Sequence, residues 1–148
     1  MEQGTPSRTA LRVALRRAAH QIYDSPIIFD DPMAVPILGK DYAEELRRTP
    51  QRADRPFSIA LRAFLVARSR YAEDNLHRAV ATGAQQYVLL GAGLDTFAHR
   101  NPYAKLRVFE MDHPSTQAWK CELLERNRVA TPAGLTYVPV DFERQSLA

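Results

Sequence analysis

Tyr87-Val88-Leu89-Leu90-Gly91-Ala92-Gly93-Leu94-Asp95-Thr96 is the stretch on which the reading of this chain turns. A short apolar run breaks into a glycine-rich turn and then into residues able to start a helix. Val88, Leu89 and Leu90 are apolar on both faces, which predicts a buried parallel strand covered by helices on each side. Gly91 and Gly93 lack a Cβ, so the backbone can turn sharply and come close to a ligand. Asp95 or Thr96 can cap the next helix.

Working outward, the segment before this run is helical. Thr9 to Gln21 places Leu11, Ala14, Leu15, Ala18 and Ala19 at helical spacing, and Tyr23-Asp24-Ser25-Pro26 ends that helix. Asp31-Pro32 supplies an N-cap and a first-turn proline for a short helix through Leu38, stopped by Gly39. A charged helix spans Asp41 to Arg48, and Thr49 to Pro56 is a polar connection. From Phe57 a stripe of Ile59, Ala60, Ala63, Phe64, Ala67, Tyr71 and Leu76 predicts a long amphipathic helix that closes at Thr82-Gly83-Ala84, with Arg68 beside the stripe. Beyond the glycine turn, Phe97 to Arg100 reads as a brief helix. Leu106 to Asp112 is a second strand, Ser115 to Val129 a helix with Trp119, Leu123 and Leu124 inward, and Leu135 to Val140 a third strand that Pro139 marks as imperfect or near an edge.

Composition narrows the function. The 148 residues are 45% hydrophobic and 25% charged, the make-up of one soluble globular domain. The net charge of +3 owes much to Arg8, Arg12, Arg16 and Arg17, read as a solvated helix face. A nucleic-acid site would want a longer basic surface interleaved with aromatics. The lone Cys121 fits a reducing compartment and reads as a packing residue without metal-ligand partners. No apolar run approaches the roughly 18 residues of a spanning helix, and the start lacks a signal-peptide core, so a cytoplasmic location is expected.

Strands alternating with helices predict a right-handed parallel sheet, whose ligands sit beyond the carboxyl ends of the strands. The glycine turn and the acidic clusters all fall there. A sugar lying over Gly91-Ala92-Gly93 could donate its two hydroxyls to a carboxylate at the end of the second strand, a role open to Glu110 or Asp112. Asp141 could accept from a purine amine, with Phe142 beside it. Each acid could instead only cap its turn: Asp112 precedes His113-Pro114, and Asp141 precedes a polar tail. Dinucleotides and S-adenosyl-L-methionine both fit. The dinucleotide fingerprint wants a third glycine where this chain has Thr96, which tips the balance toward S-adenosyl-L-methionine, whose carboxylate Arg68 could hold.

Arg17-Ala18-Ala19-His20-Gln21, Phe29-Asp30-Asp31-Pro32, Ala67-Arg68-Ser69-Arg70, Leu90 to Thr96, Phe109-Glu110-Met111-Asp112-His113-Pro114 and Val138-Pro139-Val140-Asp141-Phe142 occur in one order. Together they resemble the leucine carboxyl methyltransferase-like family of S-adenosyl-L-methionine-dependent methyltransferases, numerous in actinobacteria. The resemblance covers nearly the whole chain. It implies an α/β fold in which a helical region, residues 1–82, precedes the cofactor-binding first half, residues 83–148, of a Rossmann-like sheet of about three parallel strands. It implies that Arg68 meets the methionine carboxylate, that Gly91, Ala92 and Gly93 underlie the methionyl and ribose parts, that Asp112 contacts the ribose, and that Asp141 and Phe142 frame the adenine. Glu110 is the further acid of the set. Ser25-Pro26-Ile27 stands where the eukaryotic relatives have a lysine before their Asp-Pro, which puts a second carboxylate contact from that region in doubt.

Members of that family are much longer, whereas this chain stops at Ala148 just past its third strand. The resemblance therefore implies an incomplete domain, marginally stable and poorly active alone, with an exposed sheet edge through which it could self-associate. The implied reaction is O-methylation of a carboxyl or hydroxyl group on an acceptor of unread identity. No catalytic residue is named, because a carboxylate nucleophile is already ionised at neutral pH. His20 and His113 read as structural, one on a helix and the other at a cap. Two rival readings are a nicotinamide-dependent oxidoreductase fragment and a degenerate interaction module that docks a partner at the sheet edge.

Overall fold

The computed structural model describes residues 7–50 and 54–146. Met1 to Pro6 and the middle of the polar connection lie outside the described residues. Helix α1 (Arg8–Tyr23) is capped by Ser7, whose hydroxyl accepts from the amide of Ala10. Successive turns over 32–38 lead to α2 (Lys40–Arg48), and α3 (Pro56–Ala81) precedes β1 (Gln86–Leu90). A 3-10 turn (Phe97–Arg100), β2 (Arg107–Asp112), α4 (Pro114–Arg126) and β3 (Leu135–Pro139) complete the order.

The strands form one parallel sheet in the order β1-β2-β3, with Tyr87 opposite Val108 and Val108 opposite Leu135. The α/β class, the parallel pairing and the edge position of β3 agree with the sequence reading, and the architecture is that of a partial Rossmann-like sheet. The short helix expected from Pro32 to Leu38 is a set of mixed turns. Ala34 donates to Asp31 and Leu38 to Val35, three residues apart, while Ile37 reaches four back to Met33, so no regular ladder forms.

Two apolar clusters hold the layers together. Ala14 and Ala18 of α1 pack with Ile37, Leu38, Leu94, Leu123 and Leu124, while Leu76 of α3 packs with Phe97, Leu106 and Val108. The helices therefore cover the sheet face that carries Tyr87, Leu89, Val108 and Leu135. The opposite face of β1 is open: Val88 is 49% and Leu90 59% exposed, which corrects the expectation of a strand buried on both sides.

Helix α3 brings a related correction. Most of its predicted apolar stripe faces outward, with Phe64 and Tyr71 exposed; of that stripe Leu76 is buried as expected, together with Arg62, Leu65 and Val66 from outside it. Periodicity located the stripe, but Arg62 fixes the rotation of the helix. Its Nε and Nη2 donate to the two carboxylate oxygens of Asp24 at 2.8 and 2.7 Å, tying α3 to the end of α1. Cys121, expected to be a packing residue, is exposed on α4, and Arg17, expected on a solvated face, is buried. Among the described residues no helix is long and apolar enough to cross a membrane.

The Asp24 carboxyl is held below the usual carboxylate range chiefly by its hydrogen bond from Arg62, against the opposing effect of burial. A carboxyl whose folded value is depressed stabilises the fold above its unfolded value near 3.9, and loses that stabilisation as pH falls through the folded value. Asp24→Asn is expected to cost about 2 kcal/mol near neutral pH, the scale of a charged hydrogen bond. Thermal melts of the two proteins between pH 7 and pH 2 should converge as the solution is acidified.

Candidate functional site

A cleft of about 400 Å³ opens at the carboxyl end of β1. Its floor is Leu89 to Asp95, one wall is Thr9, Ala10, Val13, Ala14 and Arg17 of α1, and the other is Arg68 and Ser69 of α3, with Asp112 at the end of β2. A second hollow of similar size lies on another side of α1, lined by Leu15, Arg16, Tyr42 and Leu46, and contains none of the glycine or acidic motifs.

The two glycines have different work. Both have positive φ, +66° at Gly91 and +52° at Gly93, the region glycine occupies at little cost. A Cβ on Gly91 would meet nothing within 4 Å, so that side of the turn is open. A Cβ on Gly93 would stand 2.9 Å from the Cβ of Ala10. Gly93 is thus required by the close approach of α1, whereas Gly91 leaves room for a ligand.

The amides of Gly91, Ala92 and Gly93 are already satisfied within the chain. Gly91 and Ala92 donate to the carbonyl of Met111 at 2.8 and 3.1 Å. Gly93 donates to Asp112 Oδ2 at 2.5 Å, Asp95 to the carbonyl of Ala92 at 2.9 Å, and Phe97 to Asp95 Oδ1 at 2.7 Å. A pyrophosphate needs free N–H groups and a helix N-terminus aimed at it. Here the capped amides and the carboxylates of Asp95 and Asp112 oppose such an anion. Burial pushes the Asp95 carboxyl up, but Arg17, Lys120 and the Phe97 amide outweigh it and hold it below the ordinary value.

The sequence-predicted residues divide in two. Arg68, Gly91, Ala92, Gly93 and Asp112 share the cleft lining. Arg68 is exposed and makes no hydrogen bond or ion pair with any other described residue, so its guanidinium fork is available to a carboxylate. Asp112 also accepts from the amide of His113 at 2.6 Å, and each of its oxygens keeps a further lone pair for a diol.

Glu110, Asp141 and Phe142 are not in that lining. The Glu110 carboxylate is buried and ion-paired with Lys120, whose Nζ also donates to the carbonyl of Asp95 at 2.6 Å. Burial pushes the Glu110 carboxyl above its usual range, with Lys120 pulling the other way. Asp141 accepts from the amide of Glu143 at 3.0 Å and stands 3.9 Å from His113 Nε2, with Phe142 half exposed beside it. His113 caps α4 and His20 is buried in α1, so both have the structural places expected of them.

The profile of the family described as leucine carboxyl methyltransferase matches residues 10–148. The chain belongs to this family. Its relatives include the "Putative S-adenosyl-L-methionine-dependent methyltransferase YktD" of Bacillus subtilis, 37% identical over 97% of this chain and 55% of the relative. Proteins with the same description in Frankia alni and Mycobacteroides abscessus are 34% and 35% identical over 90% of this chain, covering 48% and 45% of their own lengths. The chain thus spans about half the length of the curated relatives it matches.

Sequence reasoning missed the groups that hold the site in place. Lys120 carries no signal until Glu110 is seen beneath it. Local pattern gives Arg17 only a solvated helix face and Asp31 only an N-cap, and it marks their partner Thr96 as a possible cap and as the residue that replaces a third glycine. The two glycines give a direct check on the geometry. Gly91→Ala is expected to cost about 1 kcal/mol for its left-handed backbone, and Gly93→Ala about 3 kcal/mol, since it must also displace α1. Urea midpoints of the two variants would read the difference.

Proposed function

We propose that this chain binds S-adenosyl-L-methionine in the cleft at the end of β1, as part of a methyltransferase acting on a carboxyl or hydroxyl group. One observation supports this cofactor class most strongly. The amides of Gly91, Ala92 and Gly93 are consumed internally and flanked by acids, while Arg68, unpaired among the described residues, stands at the opposite wall. That arrangement opposes a bridging phosphate and suits a ligand with an amino-acid carboxylate at one end and a diol at the other.

In this reading Arg68 orients the carboxylate and Asp112 accepts from the ribose hydroxyls. Asp141 and Phe142, at the end of β3, frame the adenine from just outside the present lining, and Glu110 supports β2 from below through Lys120. When bound, the cofactor supplies a sulfonium methyl group, which the acceptor oxygen takes in a displacement that releases S-adenosylhomocysteine. The chain contributes proximity and orientation. A carboxylate acceptor needs no base, whereas a hydroxyl acceptor must give up its proton.

The acceptor chemistry is testable apart from the cofactor. Radiolabelled methyl transfer to carboxylic acids or phenols supports the O-methyl reading, and labelling of amines alone overturns it. A second reading has its own observation: Val88 and Leu90 lie exposed on the outer strand β1, an edge open to a further strand. On that reading the chain self-associates, and sedimentation would show a mass that rises with concentration.

Calorimetric titration tests the central proposal. S-adenosylhomocysteine is expected to bind more tightly than NAD, and Arg68→Ala or Asp112→Ala to weaken it by about 10- to 100-fold, the loss of one charged hydrogen-bonding partner. Tighter binding of NAD, or affinities unchanged in both variants, would refute it.

A further inference from the structure

Two motifs of the N-terminal region, around Arg17 and around Asp31, have no place among the proposed cofactor contacts, yet both converge on the turn. The Thr96 hydroxyl, 1% exposed, donates to the Asp31 carboxylate at 2.8 to 2.9 Å. It accepts from Nη2 of Arg17 and, at 3.2 Å, from Nε of Arg100. Arg17 is ion-paired with Asp31 through Nε, at 3.1 Å, and Nη2, and its Nη1 lies 3.5 Å from Asp95 Oδ2. Arg100 continues outward to Glu73 of α3, its Nη1 donating at 2.7 Å.

The Thr96 side chain caps no helix, although Thr96 stands at the N-cap position of the 3-10 turn. It is the neutral link among charged groups, and it joins the end of the glycine turn to α1 on one side and, through Arg100, to α3 on the other. Those helices are the two walls of the cleft. Removing the hydroxyl leaves Arg17 still paired with Asp31 and Arg100 still paired with Glu73, so the walls keep their ion pairs while the link through Thr96 is lost and the turn is left with the longer 3.5 Å pair between Arg17 and Asp95.

We propose that Thr96, held by Arg17 and Asp31, is the positioning residue of the cofactor turn: it sets the distance between the turn and Arg68, and so the cofactor affinity. The choice of ligand rests on the S-adenosyl-L-methionine reading, but the positioning of the turn does not, and the two are tested separately.

Amide hydrogen exchange of the unliganded chain measures the positioning. Thr96→Val is expected to speed exchange at 91–95 about tenfold relative to β2, while Thr96→Ser, which restores the hydroxyl, stays within about threefold of wild type. Arg17→Lys keeps a charge beside Asp31 but loses the fork that reaches Thr96. It should give the same local signature, and it serves if the valine variant does not melt cooperatively. In parallel titrations S-adenosylhomocysteine should bind about tenfold more weakly to Thr96→Val and near normally to Thr96→Ser. Exchange that is unchanged, or that rises equally in the turn and in β2, overturns the proposal. A wild-type chain that binds no S-adenosylhomocysteine would refute the cofactor reading, and the exchange data would still decide the role of Thr96.

Discussion

The ion pair between Arg17 and Asp31, buried where α1, the 28–31 loop and the glycine turn meet, is the constraint on which this structure depends. Withdrawing two charges from water costs several kcal/mol per ion, and their attraction offsets this only if the remaining donors and acceptors find partners. Those partners supply the architecture. Asp31 also accepts from Thr96 and from the amide of Met33, so satisfying one carboxylate fixes the turn and the start of the 32–38 segment together. The neighbouring grip works alike: His20 accepts from the amides of Ile28 and Phe29 through Nε2 and faces Asp24 through Nδ1, and Gln21 holds the carbonyl of Phe29 and the amide of Asp31.

Beneath the turn a second buried pair repeats the logic at β2. Lys120 bridges the Glu110 side chain and the carbonyl of Asp95, so α4, β2 and the loop share one ammonium group. Glu110 and Asp112 therefore divide the labour of β2: of these alternate residues of one strand, Glu110 serves packing and Asp112 lines the cleft, where the proposed function gives it the ligand. The separation follows from depth along the strand. Glu110 lies under α4, and Asp112 lies at the mouth, beside Gly93.

What was legible in the sequence was what neighbouring residues decide. The apolar runs at Val88, Val108 and Val138, the glycines between β1 and the next turn, and the parallel order all follow from local pattern and from the alternation of strands with crossover segments. So did the place of Asp112 at the carboxyl end of the second strand, whereas Arg68 was brought to the cleft by the family resemblance. Pairings between distant residues were not legible: Arg17 and Thr96 are 79 positions apart, and nothing in either local stretch names the other. The outward stripe of α3 failed for a related reason. Hydrophobic period gives a face, but which face turns inward was decided by Arg62 seeking Asp24, an arginine that local pattern placed on no particular side.

The contact between Ala10 and Gly93 reaches beyond this cleft. Where the Cα of one residue and the Cβ of the other leave no room for a further methyl group, the two positions stop being independent choices. A larger residue at either is admissible only if the axis of α1 lifts away from the sheet, and that movement would carry Arg17 off Thr96. Divergence at position 10 is therefore tied to divergence at position 93, and the pair marks where a bulkier helix would require a wider binding site.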